Sequence, residues 1–185
     1  MRARSIRELC RRQETLPVAG RITRMSIIGV AHIVFGLLAL SAGGAVLFRR
    51  KGTPSHRRLG WVYVLSMVGL LSSSFLIYRL FGRFGPFHIL SVIAFISLAA
   101  GLLPAWTRRP QRTWVQRHYR SMSYSYAGLV AATAAEVAVR LPGARFALST
   151  FLASVVVIII ATVIIQVRQQ RTTSPFIDAN RRPDN

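Results

Sequence analysis

Residues 26–60 read SIIGVAHIVFGLLALSAGGAVLFRRKGTPSHRRLG, and this stretch decides the fold. The run from Ser26 to Phe48 contains no charged residue. As a helix rising about 1.5 Å per residue it is long enough to cross the roughly 30 Å hydrocarbon core of a bilayer. Arg49, Arg50 and Lys51 follow at once, as they do where a span leaves the bilayer on its basic side. Lys51-Gly52-Thr53-Pro54 then reads as a turn, an N-cap threonine and a proline at the first helical position. A second helix is therefore predicted to begin near Pro54, with His56 in its first turn and Gly60 four residues on. Inside the first helix Gly29, His32, Gly36, Ala39 and Gly43 alternate at spacings of three and four and share one face.

The same grammar continues outward. Further apolar stretches run about Leu59–Tyr78, Phe87–Trp106, Ser121–Val139 and Phe146–Val167. Gly82-Arg83-Phe84-Gly85-Pro86 breaks the chain before the third stretch, placing His88 in a first turn. Trp106 and Pro110 mark the end of that stretch at an interface, and Leu141-Pro142-Gly143 makes a tight turn into the fifth. Of the 185 residues 52% are apolar and the mean hydropathy is +0.40, unlike an ordinary soluble domain. The fold class expected is an all-α integral membrane protein of about five transmembrane helices, the first four forming an antiparallel bundle. His32, Gly36, His56, Gly60, His88, His118, Ser125 and Gly128 are expected to turn inward, since small-residue faces such as Ser121, Ser125, Gly128, Ala132 and Ala135 on the fourth helix permit close approach. The fifth, apolar all round from Val155 to Ile160, packs outside it and faces lipid or a second copy of the chain, giving a homo-oligomer through helix five. Residues 1–24 read as a basic N-terminal tail, 25–168 as the polytopic membrane domain and 169–185 as a polar C-terminal tail. The first apolar run is too long and too far from the N-terminus for a cleaved signal peptide, so it is expected to stay as an anchor.

The net charge of +20 does not point to nucleic acid, because the cations fall in clusters between apolar spans and not in one stripe. Arg49, Arg50, Lys51, Arg57 and Arg58 separate the first two spans, and Arg108, Arg109, Arg112, Arg117 and Arg120 the third and fourth. The intervening connections hold only Arg79 and Arg83, and Arg140 and Arg145. By the positive-inside pattern the first and third connections are cytoplasmic in a multi-pass protein of the cell (plasma or inner) membrane. The arginine-rich N-terminal tail opposes that orientation, and the short loops outweigh it. Glu136, the lone acid within the spans, has Arg140 one turn later and is expected to pair with it there.

Four histidines occur, one on each of the first four apolar segments: His32, His56, His88 and His118. Alternation puts His32 and His88 toward one membrane face and His56 and His118 toward the other. Counted to the far end of each helix, the members of a pair match in height to within about one 5.4 Å turn. Glycines beside the histidines leave room for a flat macrocycle, although small-residue stripes in membranes also serve close helix packing. Zinc fits poorly, since four ligands would have to converge and these are divided between two faces. A di-iron carboxylate centre lacks its acids. The lone cysteine, Cys10, excludes both an intrachain disulfide and covalent haem attachment through C-x-x-C-H.

Two resemblances lie on these residues. His32-Ile33-Val34-Phe35-Gly36, Lys51-Gly52-Thr53-Pro54-Ser55-His56-Arg57-Arg58-Leu59-Gly60, Gly85-Pro86-Phe87-His88-Ile89-Leu90-Ser91 and His118-Tyr119-Arg120-Ser121-Met122 resemble a bacterial family of predicted membrane proteins of unknown function. That likeness spans about Ala31 to Pro142 and implies no activity. One histidine on each of four consecutive helices, with a His-Arg-x-Leu-Gly opening, is similar to the di-haem ascorbate-reducible cytochromes b. That resemblance implies b-type haem held by His32 with His88 and by His56 with His118, and electron transfer to a quinone or other redox partner. His56 and His88 stand nearer their helix ends than buried ligands would, and no ascorbate-site motif is present. The competing class is a non-redox membrane protein: a small transporter, a lipid- or anion-binding protein, or a complex-assembly subunit.

Overall fold

In the computed structural model the described residues are 26–77, 86–110, 113–143 and 145–179, with side chains described outside 86–87 and 170–179. The N-terminal tail and the break at Gly82–Gly85 lie outside them. Five helices follow in order: α1 Ile27–Phe48, α2 Pro54–Ser74, α3 Pro86–Thr107, α4 Trp114–Ala138 and α5 Phe146–Ala179. No strand occurs among the described residues.

Local chemistry sets the helix starts. Ser26 caps α1, its hydroxyl accepting from Gly29 N–H at 3.1 Å. Gly52 takes a φ of +81°, a left-handed conformation that costs a glycine little. It turns the chain so that Thr53 Oγ1 accepts from His56 N–H at 3.2 Å and Pro54 opens α2, as the sequence predicts. Lys51 closes α1 from the other side, its ammonium donating to the carbonyls of Val46 at 3.1 Å and Leu47 at 3.4 Å. The helix of α5 runs beyond Val167 to Ala179, through much of the segment expected as a polar tail.

Helices α1 and α2 pack closely as one hairpin and α3 and α4 as another. The hairpins meet more sparsely, α2 against α3 and α1 against α4, which closes an antiparallel four-helix ring with a looser seam. Helix α5 packs on α4 alone, outside the ring. The core joins Ala39 and Ala42 of α1, Tyr63, Val64, Met67, Leu70 and Leu71 of α2, Leu98 of α3 and Leu129 of α4. Glycines set the closest approaches. A Cβ on Gly43 would stand 2.4 Å from the Tyr126 ring and 2.9 Å from that of Tyr63, one on Gly69 2.8 Å from Phe35, and one on Gly101 2.6 Å from Met122 Sδ. The inward face expected for His32, Gly36, His56, Gly60, His88, His118 and Ser125 is buried or half-buried. Gly128 corrects that expectation: it is exposed. Helix α4 is contacted by α1, α3 and α5, and Gly128 falls in the sector those three neighbours leave open.

Helices α1, α3 and α5 are long and apolar enough to cross a membrane. Their outward residues are bare hydrocarbon, such as Leu37 at 60% exposure, Ile96 at 64% and Phe151 at 65%, a surface suited to lipid and not to water. The spans expected on α2 and α4 fall short of that composition because these helices carry the polar groups of the interior, among them Ser66, Ser73, Ser123 and Ser125, all buried. In mid-bundle the buried Tyr63 hydroxyl and Ser125 Oγ are 2.9 Å apart, α2 reaching α4 across the ring. Tyr63→Phe with Ser125→Ala is expected to give a double-mutant coupling of about 0.5–1.5 kcal/mol, as hydrogen bonds between membrane helices do. Thermal unfolding in detergent of the four proteins of that cycle measures it, and a coupling indistinguishable from zero refutes it.

Candidate functional site

The four histidines fall at the two ends of the bundle. At the end bearing the α1–α2 turn, the His56 and His118 rings face each other across the seam with centroids 6.4 Å apart and planes at 81°. They come from different hairpins, α2 and α4. His118 Nδ1 lies 2.8 Å from the Gly101 carbonyl oxygen, which can only accept, so this nitrogen carries the proton and Nε2 presents its lone pair. His56 Nδ1 is buried and has no hydrogen-bond partner among the described residues. Metal–imidazole bonds of about 2.0–2.1 Å, as on zinc, account for about 4 Å of the ring separation, and the rings' own radii for most of the rest.

The opposite end holds His32 and His88. Ser73 Oγ donates to Leu70 O at 2.8 Å and so accepts from His32 Nδ1–H at 2.9 Å. His32, like His118, is left with a free Nε2 lone pair. His88 is buried at 5% exposure, with Phe75 against its ring at 5.9 Å. Ser74 and Ser91 hydroxyls, 2.7 Å apart, tie the last turn of α2 to α3 beside it. His32 and His88 therefore share one level of the bundle through the end of α2, while His56 and His118 meet directly. Along α2 about 25 Å separates His56 from Ser73.

The glycines divide by what surrounds them. Gly36 and Gly60, each four residues after a histidine, have room: a Cβ on Gly36 meets only Leu70 Cδ1 at 3.5 Å, and one on Gly60 meets nothing within 4 Å. Gly43, Gly69 and Gly101 have none, and their place in the stripes is explained by packing. Among the described residues no three His, Cys, Asp or Glu side chains converge, so no ion has a ligand set supplied by these side chains alone. A metal carried by a macrocycle needs only two. Glu136 pairs with Arg140 at 2.7 Å on the exposed surface, and Arg140 also donates to the Glu136 carbonyl, so this acid has a local partner one turn away.

The profile of a family described as predicted membrane protein (DUF2306) matches residues 29–169, which reaches into all five helices and includes all four histidines. The chain belongs to that family. This DUF2306 protein is thus a membrane protein, and the match reaches further at both ends than the Ala31–Pro142 likeness legible in its motifs. No curated protein and no solved structure matches the chain.

Sequence reasoning passed over the groups that aim the histidines. Ser73 and the Gly101 carbonyl fix Nδ1 of His32 and His118, and neither belongs to a motif. A faint signal existed for α2. His56, Gly60, Tyr63, Ser66, Leu70 and Ser73 recur at three and four residues, so polar groups fall on the same face as the core. No such signal exists for a main-chain carbonyl.

Proposed function

We propose that this DUF2306 protein is a multi-pass protein of the bacterial plasma membrane that binds b-type haem between paired histidines and passes electrons across the membrane. The observation that carries the proposal is the His56–His118 pair: two imidazoles on different hairpins, their centroids 6.4 Å apart across the looser seam. The residues fit such a group. His118 is held in the tautomer that offers Nε2, His56 has a buried nitrogen without a protein partner, and Gly60 leaves space one turn away. Outer partners of this sort orient ligating histidines and raise their basicity. His32 and His88 would hold a second group at the opposite end, His32 oriented by Ser73.

Haem held by His56 with His118 and by His32 with His88 would supply one-electron transfer. The chain contributes the rest. Its two hairpins set one ligand on each side of a seam, its apolar outer faces hold the sites in the bilayer, and its two histidine levels lie toward opposite membrane faces. Arg57, Arg58, Arg117 and Arg120 surround the His56–His118 end and would neutralise propionates there. A quinone or a soluble redox protein is the partner class such a carrier serves.

Protein expressed in haem-replete cells and purified in mild detergent tests this. A dithionite-reduced minus oxidised spectrum is expected to show a Soret band and a sharp α band of low-spin bis-histidine haem. A featureless spectrum from folded protein rejects the redox function.

A further inference from the structure

Helices α2 and α4 stand diagonally across the ring and, among the described residues, make no close backbone approach to each other. Helix α2 is held tightly only by α1, and α4 only by α3 and α5, while the seams between the hairpins are sparse. What spans the interior therefore governs how far apart the first turns of α2 and α4 stand. At one level the His56 and His118 rings meet with centroids 6.4 Å apart. At a second level the Tyr63 and Ser125 hydroxyls lie 2.9 Å apart, and the Tyr63 ring also meets the edge of Tyr126 at 6.3 Å.

The two levels are in register. Tyr63 follows His56 by seven residues, and Ser125 follows His118 by seven. Seven residues make almost two turns, so on each helix both members share one face, and the levels lie about 10.5 Å apart. Helices α2 and α4 are each the second of an antiparallel hairpin and run in the same direction, so the second level lies beneath the first on both sides. Tyr63 is 3% exposed and Ser125 5%, and a hydroxyl buried to that degree is costly to leave without its partner. Their hydrogen bond confines the two oxygens to a range of about 0.5 Å, a constraint that apolar contacts do not impose. Tyrosine has the length to reach across the diagonal, and Gly43 leaves the space in which the Tyr63 and Tyr126 rings meet. The other histidine level has no such bridge beneath it: His32 reaches α2 directly, through Ser73.

We propose that Tyr63 and Ser125 are positioning residues for the His56–His118 pair, their hydrogen bond setting the separation of α2 and α4 and with it the gap between the two imidazoles. Ligating groups work only when the residues behind them hold that spacing, and here the support comes from two turns along the same two helices. The bond touches neither histidine. It acts through the helices, so its loss lets the first turns of α2 and α4 drift apart and leaves the His32–His88 level in place. As an aid to haem binding this role rests on the function proposed above; as a spacer of α2 and α4 it does not.

The test has two readouts on full-length protein. The first is the distance between gadolinium spin labels at Ser55→Cys and Thr113→Cys, at the starts of α2 and α4, with Cys10→Ser removing the native thiol. Tyr63→Phe, which keeps the ring and its packing, is expected to lengthen and broaden that distance. Ser125→Ala should do the same, and the two together no more than either alone, because one bond is lost in all three. Ser74→Ala, which breaks the hydroxyl pair with Ser91 at the opposite end, is expected to leave the distance unchanged. The second readout is haem retention: Tyr63→Phe is expected to weaken the His56–His118 haem about 2- to 10-fold, the range one hydrogen bond between membrane helices can supply, and to spare the other. A label distance unmoved by Tyr63→Phe and Ser125→Ala, or moved as far by Ser74→Ala, overturns the spacer. Equal loss of both haems overturns the positioning role, since that is general destabilisation. A wild type without a Soret band removes the haem function, and the label distances then decide the spacer by themselves.

Discussion

Purified His118→Ala protein is expected to lose about half of the wild-type Soret absorbance per chain, and His56→Ala to lose the same half, because neither histidine alone completes a bis-histidine site. The α-band position identifies which haem has gone. His32→Ala and His88→Ala should remove the other half and leave the first band in place. Ser73→Ala should act more gently on that second haem. Losing the acceptor that fixes His32 Nδ1–H is expected to weaken haem retention about 10- to 100-fold, in the range for outer partners of metal-binding histidines. Haem extracted and titrated against protein concentration for each variant decides the matter. Four single variants that each keep the full wild-type haem content would show that the histidines are interior hydrogen-bonding residues and nothing more.

Gly43→Val is expected to be the most damaging single substitution in the hairpin seam. Even a Cβ would stand 2.4 Å and 2.6 Å from two atoms of the Tyr126 ring and 2.9 Å from Tyr63. Neither ring is free to yield: Tyr126 donates its hydroxyl to the Leu40 carbonyl at 3.2 Å, and Tyr63 is tied to Ser125. Overpacking a tight core costs about 1–3 kcal/mol, and two added methyl groups against fixed aromatic rings place this variant at or above the top of that range. Gly128→Ala is the control with the opposite sign. It lies in a helix with nothing within 4 Å of its Cβ, and is expected to gain up to about 1 kcal/mol from helix propensity alone. Thermal unfolding in one detergent orders the three proteins. A Gly43→Val midpoint equal to the wild type would show that α1 and α4 do not approach as closely as described.

The helices were legible because their signals are local. Ser26, Thr53 and Pro54 mark starts through hydrogen bonds within one turn, and the apolar runs of α1, α3 and α5 need only length and composition to be read as spans. The antiparallel order followed from short connections, and the His32/His88 and His56/His118 levels from counting along them. Less could be said of faces. Gly128 was placed inward by its stripe with Ser125 and Ala132, but α5 also claims part of the α4 surface, and helical spacing does not say which of three neighbours takes which side.

By itself the sequence determined an all-α membrane protein with the cations of its connections concentrated in the first and third, and one histidine on each of four helices. Apolar length, charge position and capping chemistry are properties of contiguous residues, so they survive without knowledge of the tertiary contacts. Only the tertiary structure decided that the bundle is two tight hairpins with a looser seam, and that His56 meets His118 across it. It alone showed that Ser73 and the Gly101 carbonyl set which nitrogen of His32 and His118 carries the proton. These depend on crossing angles and on how closely Gly43, Gly69 and Gly101 let helices approach, which are fixed by side chains distant in the chain pressing on one another.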